Sequence, residues 1–207
     1  MKILIASSNS GKLRDFSGAA SLYKVEFELI PNFKQLPEAV EDGETFADNA
    51  RKKSEHYSRW VAHRLVLADD SGLEVDALGG APGVHSARYA ALDTGFAGNS
   101  NDEANNARLL RELAGVEDAR RGARFVSVIS VARDGCEVAS FRGEAQGVLL
   151  HSPKGNNGFG YDPLFWFAPL GKTFAELTPE EKAAVSHRGE AIRRFLEWCS
   201  RGRESGQ

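Results

Sequence analysis

Residues 65–72 read Leu-Val-Leu-Ala-Asp-Asp-Ser-Gly, a short apolar run that ends in two adjacent carboxylates. Neighbouring side chains on a β-strand point to opposite faces of the sheet. If a strand continued through Asp69 and Asp70, one of them would point into the core, where an unpaired charge is costly. Asp-Asp-Ser-Gly is also good turn chemistry. The segment alone therefore leaves two interpretations open, a buried acidic site or a strand that ends in a polar turn.

The sequence on either side of this segment predicts a mixture of strands and helices. Strands are predicted at residues 2–6, 25–30, 65–67, 73–78, 123–132, 136–150 and 163–167, and helices at 12–23, 44–64 and 101–113, from 178, and from 186 to about 200. Arg133-Asp134-Gly135 predicts a tight turn between two long strands. Because such a hairpin argues against a purely parallel sheet, we predict an α/β fold with a mixed, elongated and strongly twisted sheet flanked by helices.

Size, charge and cysteine content limit the class of protein. A chain of 207 residues predicts one domain, residues 1–200, followed by a disordered tail at 201–207. The net charge of −3 argues against non-specific binding of nucleic acid. Two distant cysteines, Cys136 and Cys199, indicate reduced thiols rather than a disulfide framework. No apolar segment has the length of a signal sequence or a membrane span, so we expect a cytoplasmic protein with no membrane partner.

Residues 7–12, Ser-Ser-Asn-Ser-Gly-Lys, lie between the first predicted strand and the first predicted helix. Backbone N–H groups at a helix N-terminus favour an anion, and Lys12 adds a positive charge. The segment is not a Walker A motif, because it lacks the earlier glycine and has Leu13 in place of Ser or Thr. Taken alone, it is more typical of an ordinary loop with an exposed lysine.

An acidic turn at residues 41–44 precedes the helix predicted at 44–64. Thr45, Asn49 and Lys53 are spaced by four residues and therefore share one stripe of that helix. Hard divalent cations such as Mg²⁺ bind carboxylate oxygens, so Asp70 with a glutamate from this turn would suit a metal site. Helix-initiating acids and a solvated lysine are the alternative.

Two later segments carry polar and aromatic side chains that suit a ligand. In residues 155–163 the glycines let the backbone approach a ligand, Phe159 or Tyr161 could stack on a base, and Asp162 could accept from ring N–H groups. Residues 182–188 place Lys182 and a Ser-His-Arg run at a helix start. An aromatic loop that fills the core and a charged helix end are the structural alternatives.

In order and spacing, these segments together resemble the inosine triphosphate pyrophosphatase family, which acts on non-standard purine nucleoside triphosphates. The resemblance extends from Ile3 to about Leu196. It consists of Ser-x-Asn-x-x-Lys at 7–12, Glu-x-Gly-x-Thr-Phe-x-x-Asn-Ala at 41–50, Ala-Asp-Asp-Ser-Gly-Leu at 68–73, Leu-Gly-Gly-Ala-Pro-Gly-Val-x-Ser-Ala-Arg-Tyr at 78–89, Gly-Phe-Gly-Tyr-Asp-Pro-Leu-Phe at 158–165 and Glu-Lys-x-x-x-Ser-His-Arg at 181–188.

The resemblance implies a homodimeric, Mg²⁺-dependent enzyme that cleaves between the α and β phosphorus atoms, with an active cleft between two lobes. It makes Asp70 the general base and a metal ligand, Asp69 a supporting acid and Lys53 a counter-charge. Glu41 is the implied second metal ligand, and Glu44 remains an alternative. The implied substrate-binding residues are Ser7, Ser8, Asn9, Ser10, Gly11 and Lys12 for the triphosphate, Ser71 beside the substrate, and Phe159, Gly160, Tyr161, Asp162, Lys182, His187 and Arg188 for the base.

Hydrogen-bond polarity gives the expected specificity. A 6-keto purine presents an acceptor where adenine presents a donor, so donors from His187 and Arg188 would favour the keto base. Two other functions remain open: a nucleotide-binding regulatory module without turnover, and a pyrophosphatase for other nucleotides such as dUTP. Residues 91–105 are longer than the usual connection of the family and predict a surface loop.

Overall fold

The computed structural model describes residues 2–7, 16, 25–93, 95 and 98–204. Its strands are β1 (Lys2–Ile5), β2 (Glu26–Leu29), β3 (Val66–Val75), β4 (Gly122–Arg133), β5 (Cys136–Leu149), β6 (Phe165–Phe167) and β7 (Lys172–Thr173). Its α-helices are α1 (Phe46–Ser58), α2 (Asp102–Glu112), α3 (Pro179–Val185) and α4 (His187–Glu204), with short 3₁₀ turns between several elements. Within this described part, no helix is both long enough and apolar enough to span a membrane.

The described strands form one sheet in the hydrogen-bonded order β2-β1-β3-β4-β5-β6-β7. Strand β1 runs parallel to β2 and β3, whereas β6 runs antiparallel to β5 and β7. Asp134 and Gly135 connect β4 to β5 with φ angles of 52° and 84°. Two consecutive residues with positive φ form the kind of two-residue turn that suits the twist of a hairpin. The structure therefore confirms the predicted α/β fold with a mixed sheet.

The chain divides into two compact units. The first unit contains residues 1–70, 127–144 and 183–207, and the second contains residues 71–126 and 145–182. In the first unit, successive strand residues alternate between two hydrophobic clusters, as the period of two of a strand requires. One cluster joins Ile3, Ile5 and Leu67 to Ile192 and Phe195 of α4. The other joins Leu4, Ala6, Val66 and Ala68 to Tyr57 of α1.

The second unit has an aromatic core and a buried cation. The rings of Phe125, Phe165 and Phe174 pack with centroid separations of 4.6 to 5.7 Å. Arg121 is 2% exposed, and its guanidinium donates to the backbone oxygens of Leu113, Leu149 and Leu150. This side chain therefore satisfies three carbonyls from two separate segments of the unit.

Strand β3 corrects the turn interpretation of residues 69–72. The strand does not end at Ala68 but continues through Asp69, Asp70, Ser71 and Gly72 to Val75. The separate strand predicted at 73–78 is therefore wrong, since residues 73–75 complete β3 and Asp76–Leu78 form a 3₁₀ turn.

Helix α1 also differs from its prediction, because it begins at Phe46 and ends at Ser58 rather than near Arg64. After Ser58 the backbone forms i to i+3 hydrogen bonds, from Trp60 N–H to Tyr57 and from Arg64 N–H to Val61. His63 then adopts a left-handed conformation with φ 60°. This turn brings the chain into β3 and leaves Trp60 52% exposed.

The remaining elements lie close to their predictions. Helix α2 begins after the cap residue Asn101, so residues 102–105 of the expected surface loop are helical. Helix α4 extends to Glu204 and includes the first four residues of the segment for which we expect disorder. Of the helix predicted at 12–23, only Phe16 belongs to the described residues, and it is helical and buried.

Candidate active site

Asp69 and Asp70 lie on opposite faces of β3, and each has a cation near it. Asp69 follows Leu67 on the face that packs against α4, where Arg188 Nε lies 3.6 Å from Asp69 Oδ2. Asp70 follows Ala68 on the face that packs against α1, where Lys53 Nζ lies 3.1 Å from Asp70 Oδ1. Alternation along one strand thus places an ion pair on each face of the first unit.

Lys53 joins Asp70 to the acidic turn before α1. Its ammonium donates to Glu41 Oε2 at 2.9 Å as well as to Asp70 Oδ1. Burial acts to lower the pKa of Lys53, but the charges of Asp70, Glu41 and Asp69 outweigh burial and raise the pKa. Lys53 is therefore protonated at neutral pH, and its positive charge lies between two carboxylates.

The acidic turn is fixed to α1 through Asn49. The Gly43 N–H donates to Asn49 Oδ1 at 2.8 Å, and Asn49 is almost fully buried. A Cβ atom at Gly43 would lie 2.7 Å from Asn49 Oδ1, which is too close for any residue but glycine. Thr45 caps the helix by accepting from the Asp48 N–H at 3.1 Å. These contacts fix the turn that carries Glu41, whose carboxylate contacts Lys53.

The residues around Lys53 suit a hard divalent cation. Glu41 and Asp70 supply carboxylate oxygens in a place that already stabilises the positive charge of Lys53. Among the described residues, no group of three or more His, Cys, Asp or Glu side chains is arranged to hold a metal ion. Mg²⁺ in nucleotide sites commonly uses one or two protein carboxylates and completes its shell with water and phosphate oxygens. Glu41 and Asp70 therefore form a donor set of two carboxylates that fits a hard divalent cation.

In the second unit, Asp162 organises the loop after Gly155. Asp162 Oδ2 accepts from Lys182 Nζ at 2.5 Å and from the Phe159 N–H at 2.9 Å, and Asp162 is 2% exposed. The Lys182 ammonium also lies 4.8 Å from the centroid of the Phe159 ring. Gly158 has φ +77°, and a Cβ there would lie 2.1 Å from Asp162 Oδ2. The loop thus requires glycine in order to place one buried carboxylate beside a lysine and an aromatic ring.

The two aromatic residues of this loop have different environments. Tyr161 is buried, and its hydroxyl donates to the Ser86 carbonyl oxygen at 2.8 Å. Burial also raises the pKa of Tyr161 above its ordinary value. Phe159 is only half-buried. Phe159 is therefore the better placed of the two to stack on a base, and a base contact through Tyr161 stays a prediction.

Gly160 is held by two residues that no sequence motif indicates as functional. Its N–H donates to Asp102 Oδ2 at 2.6 Å, and its carbonyl accepts from Asn106 Nδ2 at 2.9 Å. Asp102 and Asn106 are one turn apart on α2, so they share a face. Their spacing was visible in the sequence, but nothing there indicated that a loop more than 50 residues later would be their partner.

The remaining predicted residues are distributed over both units. His187 and Arg188 are buried in the first turn of α4, in the first unit, and Ser71 lies on β3 in the second. Ser7, in the first unit, lines a cavity of about 350 Å³ together with residues after β2, among them Asn32 and Lys34. The other predicted triphosphate-binding residues, Ser8, Asn9, Ser10, Gly11 and Lys12, lie outside the described residues.

Comparisons with known proteins agree over nearly the whole chain. The sequence model of the Ham1 family matches residues 3–198. A curated dITP/XTP pyrophosphatase of Acidobacterium capsulatum is 50% identical over 95% of this chain and 97% of its own length. The solved structure of the Staphylococcus aureus Ham1 protein has a TM-score of 0.82 and 39% identity, over 97% of this chain and 98% of that one. A HAM1 protein of Coxiella burnetii has a TM-score of 0.83 and 34% identity, over 97% and 99% of the two chains.

Proposed function

The chain belongs to the Ham1 family, and from this we propose that it hydrolyses non-standard purine nucleoside triphosphates, namely ITP, dITP and XTP. The products are the nucleoside monophosphate and pyrophosphate, and the activity removes these nucleotides from the pool. The structural observation that best supports this function is the group of Lys53, Glu41 and Asp70. It combines carboxylates that suit a cation with an ammonium that suits a phosphate.

In the proposed reaction Asp70 is the general base. Its carboxylate accepts a proton from the attacking water, and Asp69 on the opposite face of β3 holds Arg188. Glu41 and Asp70 are the residues that would hold Mg²⁺, which in such sites neutralises phosphate charge and assists the ionisation of water. Lys53 offsets the charge that develops on the phosphate oxygens, because its ammonium is preorganised and shielded from water. Residues 7–12 with Lys12 bind the remaining phosphates in this proposal.

We assign recognition of the base to Phe159, Asp162 and Lys182 of the second unit. Asp162 accepts from the N–H of a 6-keto purine ring, Lys182 fixes that carboxylate, and the half-buried ring of Phe159 stacks on the base. His187 and Arg188 act as donors to the 6-keto oxygen. An adenine amino group would meet donors instead, and such a mismatch is costly when it leaves buried polar groups unpaired.

We further propose that the enzyme is a homodimer in the cytoplasm. We also propose that it binds a small nucleotide as its substrate and does not bind nucleic acid. The negative net charge supports the last point, because binding to many phosphates along a nucleic acid requires an excess of basic residues.

The test is a panel of nucleotides incubated with purified protein and Mg²⁺. We expect ITP, dITP and XTP to be cleaved in preference to ATP, GTP and dUTP, with pyrophosphate as the first product on anion-exchange separation. Orthophosphate as the first product, or equal turnover of ATP, would refute the proposal. Preferential cleavage of dUTP would favour a different pyrophosphatase, and tight binding of ITP without cleavage would favour a regulatory module.

The variant Asp70→Asn tests the assigned base in the same assay. We expect turnover of ITP to fall by roughly a hundredfold or more, because the amide cannot accept the proton from water. The far-UV circular dichroism of the variant should match that of the wild type. Near-normal turnover in a folded variant would show that another residue is the base.

A further inference from the structure

We propose that Asp102 and Asn106 of α2 are positioning residues that hold the base-binding loop through the backbone of Gly160. The inference rests on the proposed function, because only that function assigns the binding of a purine base to this loop. Neither side chain is required to touch the nucleotide. Their role is to fix the direction in which the neighbouring residues Phe159 and Asp162 face.

The first support is that both backbone polar groups of Gly160 are hydrogen-bonded to side chains of α2. Asp102 accepts the Gly160 N–H at 2.6 Å, and Asn106 donates to the Gly160 carbonyl at 2.9 Å. Both polar groups of one residue outside regular secondary structure are thus satisfied by side chains from one face of one helix. Because its acceptor is a carboxylate oxygen, the contact with Asp102 is of the stronger, charge-assisted kind.

The second support is the position of Gly160 in the loop. Gly160 has φ +63°, a left-handed conformation that glycine adopts at little cost. It lies between Phe159, whose ring is against Lys182, and Asp162, whose carboxylate binds Lys182. A change in the backbone at Gly160 would therefore change the relation between the stacking ring and the accepting carboxylate.

The third support is that α2 is anchored independently of the loop. Asn101 caps the helix by accepting from the Ala104 N–H at 2.7 Å, and Leu109 is fully buried. Asn105, the neighbour of Asn106, binds a different segment, since it accepts from the Ala90 N–H and donates to the Ala87 carbonyl. The helix is thus a fixed support to which the loop is attached.

The hydrogen bonding of Asn106 allows its function to be separated from its contribution to stability. The side chain is nine-tenths buried, and among the described residues its Oδ1 atom has no hydrogen-bond partner. A buried oxygen without a partner is destabilising, so an apolar residue of similar volume should fold about as well. Within the described part of the chain, the one side-chain hydrogen bond lost would be that to the half-buried Gly160, whose carbonyl water could then reach.

The experiment compares four variants by the KM and kcat for ITP, by the ratio of kcat/KM for ITP to that for ATP, and by urea unfolding. Asn106→Leu and Asp102→Ala are expected to raise KM roughly tenfold, to leave kcat within about twofold and to lower the ratio. Asp102→Asn retains an oxygen that can accept the Gly160 N–H and is expected to restore KM. Glu103→Ala removes an exposed acid from the same first helical turn and is expected to leave KM unchanged.

Unchanged KM and unchanged base preference in Asn106→Leu and Asp102→Ala would overturn the inference. It would also be overturned if Glu103→Ala reproduced the effect of Asp102→Ala, because the cause would then be helix stability. Should the wild type bind ITP without cleaving it, the proposed function would fail, but the same comparison of ITP dissociation constants would still decide the role of the two residues.

Discussion

The Lys53 ammonium lies 3.1 Å from Asp70 Oδ1, and the two side chains are only 11% and 13% exposed. Coulomb attraction between such groups is stronger than at the surface, because little water screens it. The same ammonium contacts Glu41, which comes from a separate segment of the first unit. One lysine thus connects β3, α1 and the acidic turn, and the position of each carboxylate depends on it.

Replacement of Lys53 by Met tests this connection. We expect kcat/KM for ITP to fall by roughly a hundredfold or more, since a preorganised charge is lost and two carboxylates repel each other. Lys52→Met is the matched control, because Lys52 is the next residue and pairs with the exposed Asp42. Its steady-state kinetics should remain within about twofold of the wild type. Equal losses in the two variants would contradict a specific role for Lys53.

Within the site, Asp69 and Asp70 of β3 are the residues most readily predicted from the sequence. Strand alternation and the cost of an unpaired buried charge together predicted that a continuous strand would need a partner for the buried aspartate. In the structure that partner is Arg188, which lies 119 residues later in the sequence at the start of α4. The sequence could not decide between strand and turn, because Asp, Ser and Gly suit turns and only the neighbouring strands of the sheet favour extension.

The end of α1 and the support for Gly160 could not be predicted, because both depend on distant contacts. Apolar residues continue at helical spacing beyond Ser58, yet Ser58 Oγ accepts from the Gly135 N–H, 77 residues away in sequence. Asp102 and Asn106 read as ordinary residues of a capped helix. Only the folded second unit brings Gly160 to their side chains.

A second prediction concerns the choice between Glu41 and Glu44 as a metal ligand. Glu41 contacts Lys53, so Glu41→Gln should raise the Mg²⁺ concentration needed for half-maximal activity by about tenfold or more. Removal of divalent cations with EDTA should abolish turnover in the wild type, and added Mg²⁺ should restore it. Glu44→Gln should show the Mg²⁺ dependence of the wild type. A raised requirement in Glu44→Gln alone would reverse the assignment.

A third prediction concerns the stability of the second unit. Arg121→Met would remove the donor to the Leu149 and Leu150 carbonyls, whereas the Leu113 carbonyl would still accept from the Val116 N–H. We expect the free energy of unfolding to fall by about 3 kcal/mol. Arg120→Met is the matched control, since Arg120 is exposed and the free energy should change by less than about 0.5 kcal/mol. Urea unfolding followed by tryptophan fluorescence measures both. A small effect at Arg121 would show that water replaces the guanidinium at these carbonyls.

The last prediction concerns alkaline stability and Tyr161. Burial raises the pKa of Tyr161, whereas an unfolded tyrosine ionises near pH 10. The stabilisation from keeping this phenol neutral is fully present below pH 10 and is lost as pH rises, because only the unfolded chain releases its proton there. Between pH 8 and pH 11 the wild type should therefore lose about 1.4 kcal/mol more than Tyr161→Phe.

Tyr161→Phe should also be less stable than the wild type at pH 8 by about 1 kcal/mol, because the bond to the Ser86 carbonyl is missing. Burial raises the pKa of Tyr89 as well, but Tyr89 is present in both proteins, so the difference between them isolates Tyr161. Urea unfolding at pH 6, 8 and 11 measures the effect, and between pH 6 and 8 the two proteins should change in parallel. Parallel behaviour up to pH 11 would mean that the Tyr161 phenol ionises in the folded protein as readily as in the unfolded chain.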